Sequence, residues 1–265
     1  MKLAIDHETV YRYDAPVRSS TQYLRLTPRE SPRQTVLQWH VDTPRPATQT
    51  HDGYGNVLHV LTLDKPVREI CIRAHGVVET NPLAEDTGAP VAATLSPLVF
   101  LRPTPITRCD AALAKFAEPF RRRGAVLTGL RELAAAVTRK LPVAEQAADP
   151  LAAAQAFESG QGSVRDHAHV FITCCRYLGV PARFVSGYLL SQGKGEPQIV
   201  GHAWVDAWIT DRWRSFDLAH SRAAGADHVK LAVGADYLDA CPIRGIRTGG
   251  GLETMEAHAK LTLSP

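Results

Sequence analysis

The stretch Gly160-Gln161-Gly162-Ser163-Val164-Arg165-Asp166-His167-Ala168-His169 decides how the second half of this chain is read. From its middle onward, Val164, Ala168, Phe171, Ile172, Cys175 and Leu178 recur at helical spacing and fall on one stripe, the mark of a helix facing a core. Ser163 has the chemistry of an N-cap or turn residue, and Gly179-Val180-Pro181 stops the helix. Strands are predicted next, at Ala182 to Leu190, Ala203 to Ile209 and Trp213 to Phe216, the last two joined by a short turn at Thr210-Asp211-Arg212. Val229 to Val233 and Ala257 to Leu263 are candidate edge strands. The pattern is a core helix followed by a sheet.

Upstream of that helix the spacing predicts shorter ones at Ala111 to Ala117 and Gly129 to Val137. A third runs to Phe157, with Asp149 as N-cap and Pro150 at the first helical position. A linker rich in Pro, Gly and Ala, from Asn81 to about Pro105, separates them from a β region and divides the chain into 1–95 and 96–265. In the β region, Thr9 to Tyr13, Gln22 to Thr27, Thr35 to Val41, Asn56 to Leu63 and Glu69 to Ala74 alternate in polarity. Asp14-Ala15-Pro16, Pro28-Arg29-Glu30-Ser31-Pro32, Pro44-Arg45-Pro46 and Asp52-Gly53-Tyr54-Gly55-Asn56 are the turns between them. The fold class expected is α+β: an N-terminal antiparallel β-sandwich, then a domain of helices and antiparallel sheet.

Composition narrows the function classes. With 265 residues, 45% hydrophobic and 22% charged, the chain has enough apolar content for a globular core, and a net charge of +3 is only mildly basic. The tight basic cluster Arg121-Arg122-Arg123 lies beside an amphipathic segment without interleaved aromatics, so it reads as a solvated face and not as a nucleic-acid contact. Charges interrupt Met1 to Glu8 before a signal core could form, and no run approaches the ~20 apolar residues of a membrane span. The cytoplasm is the default compartment. Five cysteines, Cys71, Cys109, Cys174, Cys175 and Cys241, are an odd number without a C-x-x-C pair. Adjacent Cys174 and Cys175 would point about 100° apart on a helix, so reduced thiols are expected. No cofactor is predicted.

Gly162-Ser163-Val164-Arg165-Asp166-His167-Ala168-His169, the run from Arg176 to Leu189, His202-Ala203-Trp204-Val205 and Phe216-Asp217 resemble the bacterial transglutaminase-like family. Ala232 to Tyr237 and Pro242-Ile243-Arg244-Gly245 extend the resemblance. Tyr11 to Val17, Leu24 to Arg29 and Asp52-Gly53-Tyr54-Gly55-Asn56 resemble that family's N-terminal β region. The resemblance implies a fold similar to papain-like cysteine peptidases, with a Cys at a helix N-terminus and a His and an Asp on neighbouring strands. It places the His at His202, the Asp at Asp217 and the Cys at Val164. An isopropyl group has no lone pair with which to attack a carbonyl. His167 stands where the family usually has an aromatic residue, and Leu218-Ala219-His220 where it often has Pro-Thr-Asn. The resemblance therefore implies a transglutaminase-like protein with a silent site, whose cleft retains binding of a peptide, an amide side chain or a partner. It also implies ATP-grasp and alpha-E proteins as partners in a complex.

Alternatives remain open. Ser163 is adjacent to Val164 but rotated about 100° from it, and Cys174 is on the order of 15 Å away along the helix. His167, His169, His202, Asp217 and His220 together invite a metal, yet i, i+2 spacing on a helix points His167 and His169 apart, and no metal is predicted. A structural hydrogen bond accounts for His169. An amide hydrolase or acyl-transfer enzyme using a non-Cys nucleophile or a metal-bound water at these histidines is the rival enzyme reading, and a structural subunit of a complex is the other. A hairpin symmetric about Asp211 sets His202 opposite His220, so contact with Asp217 needs an offset. Trp204, Trp208 and Trp213 read as walls of the core or cleft, and Trp204, His167 and His169 are the candidate binding residues.

Overall fold

The computed structural model describes residues 1–81, 95–122, 124–144, 151–191 and 198–263. Its first sheet is built around one 23-residue strand, β1 (Lys2–Leu24), joined by β2 (Gln34–Asp42), β3 (Thr48–His51), β4 (Val57–Leu63) and β5 (Val67–Thr80) in the order β2-β5-β1-β4-β3. The predicted turn at Asp14-Ala15-Pro16 does not turn the chain. The ladder with β5 instead shifts register between Arg12 and Val17. Pro16 has no N–H for a ladder, and it falls in this gap, where its carbonyl accepts from Gly250 N at 3.1 Å. Strand β1 changes partners across the irregularity: its first half pairs β5, and its second half pairs β4. The two halves share one core of Tyr13, Val17, Leu24, Leu61, Leu63, Ile70, Ile72 and Ala74. The strands of this region belong to one antiparallel sheet, whose two halves meet in that core.

The second half supplies α1 (Ala111–Ala117), α2 (Val126–Lys140), α3 (Ala153–Ser159) and α4 (Val164–Tyr177), then an antiparallel sheet of β6 (Ala182–Ser191), β7 (Gln198–Ile209), β8 (Arg212–Phe216) and β9 (His228–Gly234) in the order β8-β7-β6-β9. The fold is α+β. Helix α3 begins at Ala153, later than predicted, and Asp149 and Pro150 lie outside the described residues, as do Arg123 and most of the linker. Helix α4 is buried on every side from Arg165 to Arg176, not along one stripe, because α1, α2 and α3 pack on it opposite β6 and β7. Burying Arg176 requires acceptors. Phe100 O, Thr107 Oγ1, Ala182 O and Ala235 O provide them at 2.6–2.9 Å, and burial pulls the guanidinium down to about 10.

After α5 (Tyr237–Ala240) the chain returns to the first sheet. Strands β10 (Ile243–Gly249) and β11 (Glu253–Leu263) both pair with β1, β11 along its first half and β10 along its second. Segment 257–263 is therefore a strand of the N-terminal sheet, whereas β9 does form an edge of the four-stranded one. Side chains cover the other side of β9. Asn56, fully buried, accepts from Val233 N at 2.9 Å and donates to Val233 O at 2.8 Å. Gln34 accepts from Lys230 N at 2.8 Å and donates to Lys230 O at 2.7 Å. Two carboxamides thus reproduce the donor and acceptor pattern of a missing strand. Asp52 orients Asn56 at 2.9 Å and is itself paired with Arg25 at 2.7 Å.

Candidate active site

Val164 opens helix α4 and is partly buried against the core around Phe171 and Phe216. Ser163 is the N-cap. Its backbone N–H and hydroxyl donate to Asp166 Oδ2 at 2.8 and 2.7 Å, while its oxygen accepts from Asp166 N at 3.4 Å. That hydroxyl proton is committed to a carboxylate inside its own helical turn, which gives Ser163 a capping role.

His202 lies on β7 opposite Gly187 of β6. The β7–β8 ladder ends at Val205 and Phe216, after which Asp217 leaves it and exchanges both backbone hydrogen bonds with Arg222 at 2.7 and 3.1 Å. This early departure supplies the offset that a symmetric hairpin lacks. It brings Asp217 Oδ2 to 3.0 Å from His202 Nε2, although the two are not aligned as a hydrogen bond. The same oxygen lies 2.9 Å from His220 Nδ1 and 3.0 Å from His228 Nε2. Asp217 Oδ1 accepts from His220 N at 3.3 Å. Burial disfavours the Asp217 carboxylate, yet the imidazoles of His202, His228 and His220 around it outweigh that and hold the carboxyl well below the usual range.

Not all of the five candidate residues meet. His202, Asp217 and His220 do meet, but His167 and His169 point elsewhere. His167 Nε2 donates to Leu141 O at 2.6 Å, and His169 Nε2 accepts from Tyr237 N at 3.1 Å. Both rings are fully buried, and burial lowers both pKa values, that of His169 to about 4. His228 takes their place in the cluster. Its sequence signal was slight: a histidine beside Asp227 at the mouth of a predicted strand. Asp227 Oδ1 stands 2.8 Å from His228 Nδ1, and Gly225 N 3.1 Å from the same atom.

Trp204 walls this cluster. Its ring stacks on His202 at 6.2 Å and meets His228 edge-on at 5.2 Å. Gly187 permits that approach, since a Cβ there would come within 2.6 Å of the indole. Trp213 packs edge-on against Trp208 at 5.3 Å and carries the Arg183 guanidinium at 3.9 Å from its ring centre. On the strand of His202, Asp206 is buried between Arg183 at 2.9 Å and Lys230 at 2.7 Å. Burial opposes its charge, but those cations bring its pKa down to about 2. Nothing in the local sequence marks Asp206 as part of the site. A cavity of about 610 Å³ adjoins Asp217 and runs along α2 and residues 212–224, with Arg33, Arg131, Arg212, Arg214 and Arg222 on its walls.

No thiol substitutes for the group Val164 lacks. Burial raises the pKa of Cys71, Cys109, Cys174 and Cys175, which makes each a poorer thiolate, and Cys241 Sγ donates to Ile243 O at 3.1 Å.

Two family models match the chain: the bacterial transglutaminase-like N-terminal region over residues 3–79 and the transglutaminase-like superfamily over residues 115–218. The chain belongs to the bacterial transglutaminase-like family. Protein ML0607 of Mycobacterium leprae is 28% identical, covering 98% of both chains. Rv2569c of Mycobacterium tuberculosis is 26% identical over 91% of this chain and 86% of its own. A crystal structure of a candidate cysteine protease from Cytophaga hutchinsonii shares the fold, with a TM-score of 0.77, 19% identity and coverage of 100% of this chain and 92% of its own.

Proposed function

We propose that this transglutaminase-like protein performs no thiol chemistry and uses its site to hold a peptide or an amide side chain, acting in the cytoplasm beside partner proteins. The observation that carries this reading is Val164 at the head of α4 in a chain that keeps His202 and Asp217 3.0 Å apart. An imidazole and a carboxylate activate a nucleophile only where one exists. With Asp217 at Nε2, Nδ1 is the His202 atom left to meet a bound amide. The arginines around the cavity beside Asp217 favour a partner that presents carboxylates there. ATP-grasp and alpha-E proteins are the partners to try first, and failure to co-purify with either argues against that complex.

Incubation with glutamine-donor and peptide amide substrates is expected to give no turnover above background. Turnover insensitive to thiol inhibitors would overturn the silent reading in favour of the enzyme alternative. Val164→Cys tests the surroundings: a thiol placed at a helix N-terminus next to a usable imidazole has a lowered pKa, so it should alkylate quickly at neutral pH. Slow labelling of a folded variant would show that His202 and Asp217 serve structure alone.

A further inference from the structure

Three imidazole nitrogens converge on one carboxylate oxygen, and a hydrogen-bond count alone does not account for them. Asp227 Oδ1 is closer to His228 Nδ1, at 2.8 Å, than Gly225 N, at 3.1 Å. His228 Nδ1 is thus held between a carboxylate acceptor and a backbone N–H donor, which fixes the orientation of the ring. That orientation turns Nε2 toward Asp217 Oδ2, 3.0 Å away. Either the ring's own proton or a metal ion can bridge that contact.

Two further observations favour the metal. His202 Nε2, on a side chain only 5% exposed, points at the same oxygen from 3.0 Å without an aligned hydrogen bond. The donor atoms of His202, Asp217 and His228 all lie within 4.8 Å of one another. Bonds of about 2.0–2.1 Å around a tetrahedral ion separate its ligands by about 3.4 Å, so each of the two 3.0 Å His–Asp separations would open by about 0.4 Å. Asp227 beyond His228 completes the carboxylate–histidine–metal relay that orients ligating imidazoles and makes them more basic.

We propose that His202 Nε2, His228 Nε2 and the Asp217 carboxylate bind one divalent transition-metal ion of the zinc class, with the half-exposed His220 at its open side. Nitrogen and oxygen donors in a three-ligand set suit zinc-like ions over calcium or magnesium. The ion would share His202 and Asp217 with the amide-binding reading, but metal uptake and amide turnover are measured separately, so either can fail alone.

The full chain, free of purification tags and stripped with chelator, is titrated with Zn²⁺ by calorimetry and loaded with Co²⁺ for absorption spectroscopy. About one equivalent of either ion should bind, with a cobalt spectrum of nitrogen and oxygen ligation lacking thiolate charge-transfer bands. His228→Gln should abolish stoichiometric binding, and Asp227→Asn should weaken it about 10–100-fold. No stoichiometric uptake by the natural chain would mean that a proton occupies the position, and would overturn the proposal. A thiolate-type cobalt spectrum, or uptake unchanged in a folded His228→Gln variant, would overturn it as well. The wild-type titration and spectrum decide the matter even if the variants do not fold.

Discussion

His169 is a histidine the fold keeps neutral. Its Nε2 lone pair receives the Tyr237 N–H at 3.1 Å, and protonation would both destroy that acceptor and place a charge in the core. Burial accordingly lowers its pKa from the ordinary 6.5 to about 4. Between those values the unfolded chain binds a proton that the native chain refuses. Stability from this residue is therefore complete above pH ~6.5, drains as pH falls and is gone near pH ~4, a loss of about 3 kcal/mol. His7, His59 and His167, also lowered by burial, act in the same direction. Asp206 and Asp217, with depressed carboxyls, lose their contributions only as pH falls below about 3.8, outside this window. Urea unfolding of His169→Gln should show a shallower fall in stability from pH 7 to 4.5 than the natural chain. Equal slopes would mean that His169 titrates normally.

The turn Asp52-Gly53-Tyr54-Gly55-Asn56 does at the level of elements what His169 does alone. It closes the edge of β9 through the two hydrogen bonds of Asn56 to Val233, and Tyr54 Oη donates to Asp239 Oδ2 at 2.6 Å. Asn56→Ala strands one buried N–H and one buried C=O, and should cost about 2–4 kcal/mol in chemical denaturation. Asn56→Asp should cost more, because a carboxylate cannot donate to Val233 O and would face Asp52 Oδ2, which now receives the Asn56 amide at 2.9 Å. A cost under about 1 kcal/mol for the aspartate would show that water covers this edge instead. The turn was legible in the sequence as a turn, since Gly and Asn announce one locally. Its role was not, because Val233 lies 177 positions away. The same divide separates the rest of the molecule. Helix α4 and strands β6, β7 and β8 follow from periodicity, and His202 and Asp217 from motif. His228 enters the cluster only through the docking of β9 on β6, and Pro16 reads as a turn because a bulge within a 23-residue strand leaves no local mark.

At the scale of the whole molecule, the division of the chain at residue 95 becomes a question about cooperativity. Leu3, Ile5 and Val78 from the first sheet form one buried cluster with Tyr188, Leu190, Ile199, Val229 and Leu231 from the second. His7 and Tyr188 hydrogen-bond across the boundary at 2.8 Å, as do Arg29 N and Lys230 O at 3.0 Å. The C-terminal strands tie the halves covalently as well, since β10 and β11 supply two of the four strands that pair with β1. A fragment of residues 1–95 lacks both strands and exposes Leu3 and Ile5, so its buried area falls below what a sheet of that size needs for independent stability. A fragment of 96–265 keeps β10 and β11 with nothing to pair against, and bares the edge of β9 that Asn56 and Gln34 cover. The full chain should therefore unfold in one transition, with far- and near-ultraviolet circular dichroism coinciding along a urea titration. Neither fragment should show a cooperative transition alone, while mixing the two should restore one. Two separated transitions in the intact chain, or a cooperatively folding 1–95 fragment, would mean that the shared cluster is a contact between two independent domains and that the metal-type cluster at Asp217 can form without the N-terminal sheet.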